Sequence, residues 1–440
     1  MSANTLQTLF KTSLTTAQGA RRLHLRSRLP LLWLAAAFLA SLLLPDRIWT
    51  TFLVGIGGLF LIAYVWANQL LHGLYGERRL RFGWVAVGDR LGESFVLGNN
   101  AYLPAFWVQI VDHSTVPDYR PAVVRSVGAM GVERWRQDAV CRRRGQYRLG
   151  PWELHSADPF GIFAVTVSYK RSEELIIHPP IHTELPIPLP AGQSSGRSRA
   201  RERSWQATVN AAAVRDYNPG DPLRWIHWPT SARKEALYVR QFDLDAAGDV
   251  WLLLDLQSQA QVGDGPEGTE EHAVLLAASL IGRARHENRA LGLAAYGRQP
   301  HIIPPGQGQG QEWRLLRALA LLSADGNTDL RAALHDLSRI ARRGSAAVVI
   351  TPTAGAEWLP SLIALAQAGV QAHVILLDRA SFGAPQSNRG LRDAVRQLGF
   401  DCHVVRQGDL GLPPDPSDRH GYWQFKTLAT GKVVVLQRPD

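Results

Sequence analysis

The sequence predicts a mixed chain in which two N-terminal transmembrane helices are followed by a β-sandwich-like domain and a doubly wound α/β domain. Three observations predict this fold class. Two uncharged apolar runs lie close together near the N-terminus. Short runs rich in Val, Ile, Phe, Tyr and Trp, separated by turn-forming residues, then occupy residues 77–182. From residue 246 onward, apolar runs typical of buried strands alternate with helical patterns.

The composition narrows the choice of partner. The 440 residues are 46% hydrophobic and 20% charged, which suits packed cores rather than disorder. A net charge of +10 permits binding to nucleic acid or to an anionic membrane. Because the basic residues are dispersed and partly flank the apolar runs, we expect no nucleic acid partner. The two cysteines, Cys141 and Cys402, are too few and too far apart for a disulfide framework or a cysteine zinc site.

The two apolar runs, residues 29–44 and 49–67, are separated only by PDRI. A helix needs about 20 apolar residues to cross a bilayer, so we predict a two-helix transmembrane hairpin over residues 29–71. Residues 1–28 form a basic segment without acidic residues, and arginines also follow the second run. The positive-inside rule then predicts a two-span protein of the cell membrane with both termini cytoplasmic. A cleaved signal or transit peptide is disfavoured because a second apolar run follows at once.

The rest of the chain divides by composition. Residues 77–182 alternate strand-like runs with turns and predict the β-sandwich-like domain. Residues 183–204 are rich in Pro, Gly, Ser and Arg and predict a linker. Residues 205–245 form a charged and aromatic segment. Residues 246–440 place helical patterns between strand runs such as DVWLLLDLQ and AHVILLD, which predicts helices on both faces of an open sheet.

Catalytic motifs are not supported in their context. GQSSG, residues 192–196, has the spacing of a nucleophile elbow but lacks a strand before it and a helix after it. GQGQGQ, residues 306–311, simply alternates glycine and lacks the spacing of a dinucleotide-binding loop. The 14 histidines are scattered and form no metalloprotease motif. We therefore expect that the chain is not an enzyme.

The stretch VRDYNPGDPLRWIHWPTSARKEALYVRQFD, residues 214–243, combines many charges with aromatic side chains. Its YNPG sequence favours a tight turn, and the following Asp-Pro pair is typical of a helix start. Trp225 and Trp228 are three residues apart and would share one face of a short helix. Such a stretch is either a site or a rigid joint between domains.

This stretch resembles the signature of the domain-of-unknown-function 58 family, whose members more often have Glu where this chain has Asp216. The matching residues that we assign to a signature or interaction surface are Arg215, Asp216, Tyr217, Gly220, Asp221, Arg224, Trp228, Ser231 and Arg233. The resemblance implies a bacterial membrane protein that works with a MoxR-type AAA ATPase. Its expected role is a non-catalytic adaptor or scaffold in the assembly or maturation of other proteins. Other membrane or envelope proteins are further candidate partners.

Two further stretches, LLLDLQSQ and GNTDLRAAL, resemble parts of a von Willebrand factor A domain, in which oxygen ligands bind a divalent cation. Asp255 and Thr328 match that metal site and are weak metal candidates. Other ligand positions of the family hold different residues here, namely Gln257, Gln259 and Thr351 or Thr353. The resemblance therefore implies a degenerate site, so we expect no cofactor and no bound Mg²⁺.

Two other functions stay open at this point. An enzyme of unknown substrate would use the acids, histidine and arginines of the charged stretch, which are Asp216, Asp221, Arg224, His227 and Arg233. A metal-dependent adhesion-type binding module would instead use Asp255 and the residues around it.

Overall fold

The structure is a computed structural model that describes residues 12–16, 19–44, 46–80, 84–119, 121–182, 187–190, 211–218, 223, 226–242, 248–410, 424–427 and 433–437. It contains two compact units, each treated by itself below. The first takes in the chain up to Pro180 together with the segment from Leu412, and the second takes in Ile181–Gly411. The coarse prediction of a mixed chain of helices and sheets is confirmed.

One helix of the described residues, rather than the two predicted, is long and apolar enough to cross a membrane. Helix α2, Arg47–Gly73, has 27 residues. Helix α1, Leu29–Leu43, has 15 residues and is about 22 Å long, short of the roughly 30 Å hydrocarbon layer. It ends early because Leu44 precedes Pro45, and a residue before proline disfavours the helical conformation.

Helix α2 continues beyond its apolar run because its last turns pack against protein. Its buried residues lie in that second half, at Ala63, Ala67, Leu70 and Leu71. Phe60 and Tyr64 make edge-to-face contacts with Phe163, with ring centroids 5.1 and 5.6 Å apart. The helix therefore runs from an exposed apolar half directly into the core of the first unit.

The segment preceding α1 is part of the β structure and not a separate basic tail, as the sequence had suggested for residues 1–28. Strands β1, Thr12–Thr16, and β2, Gly19–Leu25, form a hairpin. Strand β2 also pairs with a central strand of the unit, with Leu23 opposite Val165. Leu23 and Leu25 are buried while the residues between and beside them point away, which is the alternation of a half-buried strand.

Up to Pro180, the first unit contains one six-stranded and two three-stranded sheets among its described residues. Their orders are β1-β2-β11-β10-β6-β7, β3-β5-β8 and β4-β12-β9. All neighbours are antiparallel except β4 and β12. The bounds are β3 Leu74–Leu80, β4 Trp84–Ala86, β5 Arg90–Asn99, β6 Ala105–Asp112, β7 Val124–Val127, β8 Val132–Val140, β9 Gly145–Leu149, β10 Trp152–Ala157, β11 Phe163–Tyr169 and β12 Glu173–His178.

A buried charge network ties two of these sheets together. The Arg78 guanidinium on β3 donates through Nε to both Glu93 carboxylate oxygens at 3.0 Å, and through Nη1 to Asp112 at 3.1 Å. The Tyr119 hydroxyl also donates to Glu93. Glu93 lies on β5 and Asp112 ends β6, so one arginine joins strands of different sheets. A protein interior tolerates buried charges only when they are paired in this way.

The second unit begins with the signature hairpin and then forms an α/β sheet. The hairpin consists of β13, Ala211–Asp216, and β14, Tyr238–Phe242, with helix α3, Trp228–Lys234, between them. The sheet strands are β15 Val250–Leu254, β16 Leu291–Tyr296, β17 Pro300–Gly306, β18 Ala346–Thr351, β19 Gln371–Leu377 and β20 Asp401–Val405. Its helices are α4 Thr269–His286, α5 Gln309–Leu321, α6 Leu330–Ile340, α7 Leu359–Gln367 and α8 Arg389–Gln397.

The sheet has the order β17-β16-β15-β18-β19-β20, and every neighbouring pair except β16 and β17 is parallel. Two apolar clusters cover its faces. Leu252 and Leu254 belong to the cluster that includes α4 and α5, whereas Trp251 and Leu253 belong to the cluster that includes α6, α7 and α8. This alternation places helices on both faces, as the apolar runs of the sequence predict.

The boundaries of this unit differ from those expected from composition. Ile187 and Leu189, in the predicted 183–204 linker, are buried in the α/β core. The rest of that linker lies outside the described residues. The unit also ends at Gly411 rather than at residue 440, and β21, Gln424–Thr427, and β22, Val433–Gln437, form a separate hairpin. The composition of this Pro-rich stretch did not reveal that two of its apolar residues belong to a core.

We expect Trp358→Ala to lower the free energy of unfolding of the α/β unit by about 3–5 kcal/mol. Trp358 is 1% exposed, and its indole Nε1 donates to the Gly355 carbonyl at 2.8 Å. Pulse proteolysis of the full chain in urea measures the change. The control is Trp228→Ala, at a tryptophan that is 65% exposed, which should cost no more than about 0.5 kcal/mol. Equal costs at the two positions would contradict the packing described.

Candidate functional site

Polar side chains gather at the carboxyl edge of the α/β sheet, where its order reverses. The chain passes from β15 outward to β16 and β17, and then returns to the other side of β15 with β18. Asp255 directly follows β15, and Thr351 ends β18. Open α/β sheets bind ligands in the crevice at such a switch point. Asp255, a metal candidate from the sequence, therefore meets Thr351 at the place where a site is expected, whereas the other candidate, Thr328, lies in the loop before α6.

The Asp255 carboxylate is buried and receives hydrogen bonds only from groups of the protein itself in the described residues. Its Oδ2 accepts from the Thr351 and Thr353 hydroxyls, each at 2.6 Å. Its Oδ1 accepts from the Gln257 backbone N–H at 3.2 Å. The two threonines stand where the resembling family has an acid, and here they act as donors to Asp255. This carboxylate thus joins the ends of β15 and β18.

Burial raises the pKa of Asp255 above its ordinary value, and the hydrogen bonds from Thr351 and Thr353 offset this only in part. The nearby charge of Asp329 acts in the same direction as burial. Asp329 caps helix α6, because its Oδ1 accepts from the Ala332 N–H at 2.8 Å. The negative charge at this edge is therefore held in a low-dielectric setting that disfavours it.

The residues present do not fit a Mg²⁺ site. Thr328 is half-buried in the loop before α6, and Gln259 is exposed. Mg²⁺ requires near-octahedral oxygen ligands, usually with carboxylates, and Asp255 Oδ2 is shared by two hydroxyl donors. Among the described residues, no three His, Cys, Asp or Glu side chains are grouped to hold a metal. The glutamines at the serine positions remove two further hydroxyl ligands.

A second buried acid, which the sequence analysis did not single out, lies beside this site. Asp378 follows β19 and accepts from Arg389 Nε at 2.7 Å, from Arg389 Nη2 at 2.6 Å and from the Ser387 hydroxyl at 2.9 Å. Burial alone would raise the pKa of Asp378, but these bonds outweigh it and lower the pKa. The sequence signal that could have pointed to Asp378 is the LLD at the end of β19, which matches the LLLD at the end of β15.

Asn388 and Arg379 connect this acid to the neighbouring strand ends. The Asn388 Nδ2 donates to the Leu377 carbonyl at 2.9 Å and to the Thr353 carbonyl at 3.4 Å. Arg379 Nη1 donates to the Ala260 carbonyl at 2.6 Å, in the turn that follows β15. One continuous set of hydrogen bonds therefore fixes the ends of three adjacent parallel strands.

The signature stretch folds as a small hairpin whose helix is fastened to a strand. Arg215 on β13 pairs with Val239 on β14, and the Tyr217 N–H donates to the Leu237 carbonyl at 2.9 Å. Ser231 is buried on α3, where its hydroxyl accepts from the Tyr238 N–H at 2.9 Å. His227 caps α3, because its Nδ1 contacts the Thr230 hydroxyl at 2.8 Å. Ser231 and His227 thus hold the backbone in place.

The outer surface of the hairpin carries exposed apolar side chains together with charges of both signs. Trp228 is 65% exposed, and Leu223 and Leu237 are also exposed. Arg233 and Lys234 are exposed in the last turn of α3, and Asp216 is exposed at the end of β13. The predicted signature residues Gly220, Asp221 and Arg224, like Trp225, lie outside the described residues.

We expect Arg389→Met to cost about 2–3 kcal/mol of unfolding free energy at pH 7. The change leaves Asp378 buried without its charged partner, although Arg389 is half-exposed and water reduces the loss. Because the pKa of Asp378 is lowered on folding, its contribution is present above its unfolded value of about 3.9 and is lost as the pH falls through the folded value. The difference between variant and wild type should therefore shrink in acid.

Urea unfolding at pH 7 and at a pH below about 3.9 measures this difference. Arg392→Met is the matched control, since Arg392 lies on the same helix and contacts only the exposed Asp393 among the described pairs. Its cost should not exceed about 0.5 kcal/mol. A loss in Arg389→Met that is equal at both pH values would contradict the role given to Asp378.

Asp255→Asn should leave the free energy of unfolding unchanged or higher at pH 7. Because the pKa of Asp255 is raised on folding, its stabilising contribution is full below its unfolded value of about 3.9 and is lost as the pH rises through the folded value. The neutral amide avoids that loss, so its advantage should disappear near pH 4. Millimolar MgCl₂ should stabilise neither form, whereas binding at one hundred times Kd would add about 2.7 kcal/mol to wild type alone.

Comparison with known proteins gives one family match. A family model described as "Protein of unknown function DUF58" matches residues 213–388, from the signature hairpin to Asn388 beside Asp378. The uncharacterized protein YeaD of Bacillus subtilis is 23% identical over 361 residues, which cover 77% of this chain and 84% of that protein. An uncharacterized protein of Mycobacterium tuberculosis is 30% identical over 195 residues, which cover 42% of this chain and 62% of its own length.

Among solved structures, the conserved hypothetical protein BatB of Bacteroides thetaiotaomicron aligns with a TM-score of 0.30 and 15% identity. The alignment covers 37% of this chain and 91% of that structure. The family match and the Bacillus relative agree with the signature resemblance found in the sequence. Over residues 213–388, the chain is similar to the family described as "Protein of unknown function DUF58".

Proposed function

We propose that this protein is a membrane-anchored, non-catalytic adaptor that works with a MoxR-type AAA ATPase in the assembly or maturation of other proteins. The observation that carries the proposal is that the signature hairpin leaves Leu223, Trp228, Arg233 and Leu237 exposed. An exposed tryptophan with neighbouring leucines and an arginine has the composition of a binding hot spot. The family resemblance supplies the kind of partner.

The internal contacts of the hairpin favour docking over catalysis. His227 and Ser231, the side chains that a nucleophilic or acid–base mechanism would recruit, cap α3 and fasten it to β14. Trp228 and Arg233 extend outward from the helix that these two residues hold. A rigid scaffold with exposed anchors loses little conformational freedom when it binds a partner.

In this proposal the α/β unit is von Willebrand factor A-like and binds no cation. Counted along the unit, its strands have the order 3-2-1-4-5-6, with the third strand antiparallel. The Asp255–Thr351–Thr353 bonds take the place of metal–ligand bonds at the switch point. In this proposal the carboxyl edge is a stabilising element that supports the docking unit, and the β-rich unit is a β-sandwich-like spacer.

Membrane anchoring is supported by α2 and by the charges that flank the helix pair α1 and α2. The exposed half of α2 carries apolar residues such as Phe52, Val54 and Leu61. Helix α1 packs back along it, with Leu34 Cδ2 3.7 Å from the position that a Cβ on Gly57 would take. In this proposal α1 and α2 insert into the bilayer together as a hairpin, so that both flanks lie on one side, and their arginines favour the cytoplasm. In this proposal the signature hairpin lies in the cytosol, where an ATPase can reach it.

Affinity purification of the tagged full chain from its native membrane tests the proposal. We expect a MoxR-type ATPase to copurify with wild type and to be lost by more than about tenfold with Trp228→Ala combined with Arg233→Ala. The matched control is Leu398→Ala combined with Arg392→Ala, an exposed leucine and arginine elsewhere in the same unit. Pulse proteolysis verifies that both variants are folded.

Recovery that is equal for the two double variants would remove the signature hairpin as the docking surface. Failure to recover any ATPase with wild type, in ATP and in ADP, would remove the adaptor role itself. Turnover of a phosphate or glycan substrate that depends on His227 would instead favour the enzyme alternative.

A further inference from the structure

We propose that the β-rich unit docks end-on against the bilayer through an aromatic collar formed by Trp66, Phe106 and Phe160. This inference rests on the membrane anchoring proposed above and adds a second, peripheral contact with lipid. Phe106 is 57% exposed and Phe160 is 51% exposed, although both belong to well-packed sheet ends. The collar surrounds the point at which α1 and α2 leave the unit, so its occupant is the same bilayer.

The depth of the membrane boundary follows from the pairing of the two helices. Leu34 on α1 lies level with Gly57 on α2. At 1.5 Å per residue in antiparallel helices, the start of α1 at Leu29 lies level with about residue 62 of α2. Ile62 is exposed, whereas Ala63 and Ala67 are buried in protein. Most of the exposed apolar part of the two helices therefore ends near Leu29 and Ile62, and we place the surface of the bilayer at this level.

Phe160 lies at this depth on the α1 side. The Arg26 and Ser27 backbone N–H groups both donate to the Ile162 carbonyl, at 2.8 and 3.2 Å. The turn that carries Phe160 is thus fixed within two or three residues of the start of α1. It is also rigid, because the Asp158 carboxylate accepts from the Phe160 N–H at 2.8 Å and from the Phe163 N–H at 2.6 Å. An exposed ring on such a turn cannot fold away from the membrane.

Phe106 and Trp66 lie at the same depth on the α2 side. Trp66 is four residues past Ile62, about 6 Å beyond the boundary. Its ring stacks on Phe106 with centroids 5.5 Å apart, and its Nε1 donates to the Pro104 carbonyl at 3.0 Å. Tryptophan and neighbouring aromatic rings are typical of the interfacial layer at this distance.

The strand register brings the two sides of the collar to one edge of the sheet. Ser156 on β10 pairs with Val108 on β6. Two residues further along each antiparallel strand, Asp158 and Phe106 reach the same sheet end. Both exposed phenylalanines therefore face the bilayer from the side where the helices leave.

The charges around the collar favour anionic lipid. Arg26 and Arg28 are exposed immediately before α1, and residues 19–28 contain no acid. Asp158, the acid of the Phe160 turn, is buried and bonded to backbone N–H groups, so it presents no negative charge to the membrane. Basic residues at this height attract the negative cytoplasmic leaflet.

Lipid quenching of a bimane label in the full chain tests the collar. The chain is placed in phosphatidylglycerol-containing vesicles with brominated acyl chains, after labelling at Phe52→Cys, Phe106→Cys, Phe160→Cys or Lys170→Cys. Phe52 on the exposed half of α2 reports anchoring. Lys170 is the matched control, since it follows β11 at the end opposite to Phe163, about 23 Å away. Each phenylalanine replaced is more than half exposed, so folding should persist.

The native cysteines give little background. Cys141 and Cys402 are buried, and burial raises the pKa of their thiols to about 12 and about 11. The thiolate is the reactive form, so both should resist labelling, and labelled wild type verifies this.

We expect brominated lipid to quench the label at positions 52, 106 and 160 and not at 170. Quenching at 52 alone would overturn the collar while anchoring stands. A blue-shifted emission at 106 and 160 without quenching would place a second protein chain on the collar and also overturn the proposal. Absence of quenching at 52 would overturn anchoring itself, and the collar with it.

Discussion

The buried carboxylate of Asp255 is the constraint on which the α/β unit depends. It lies where the strand order reverses, and two threonine hydroxyls and a backbone N–H satisfy it. A buried acid without such partners would be costly, so the ends of β15 and β18 must stay where their donors reach it. The same requirement recurs one strand further, where Asp378 is satisfied by Arg389 and Ser387. The edge of the sheet is thus set by the need to bond two buried acids.

The α/β sheet has the switch point at which such sheets often bind ligands, but the acids at this point are bonded within the protein. The carboxyl edge of the sheet is fixed by hydrogen bonds, and the signature hairpin carries exposed side chains. This combination suits docking and agrees with the adaptor proposal.

The first unit follows a different constraint, because one helix serves two environments. The N-terminal half of α2 is apolar and exposed, and its C-terminal half is buried on the six-stranded sheet. The exposed apolar half is therefore joined to the β-rich unit by a continuous helix, and, if α2 enters a bilayer as proposed, its orientation is imposed on that unit. The aromatic residues at the helix exit take their depth from the same rigid connection.

The sequence by itself determined the features that depend on local pattern. Apolar runs predicted the buried strands and one of the two expected helices that are long and apolar enough to cross a membrane, and alternation of strand and helix patterns predicted the two-faced α/β sheet. The signature stretch predicted the similarity to the DUF58 family that the family model also finds, and Asp255 was singled out at its strand end. These features succeed because periodicity and turn chemistry act over a few residues.

Only the tertiary structure decided the features that depend on distant partners. Leu23 and Leu25 belong to the sheet because β2 pairs with β11. Helix α2 extends beyond its apolar run because its C-terminal end is buried in protein. Ile187 and Leu189 join the α/β core from a stretch that reads as linker. Thr351 and Thr353 meet Asp255 across about 100 residues of chain, a contact that the sheet topology creates. The physical reason is that burial and hydrogen bonding are satisfied between segments, whereas sequence patterns report only the preference of each segment alone.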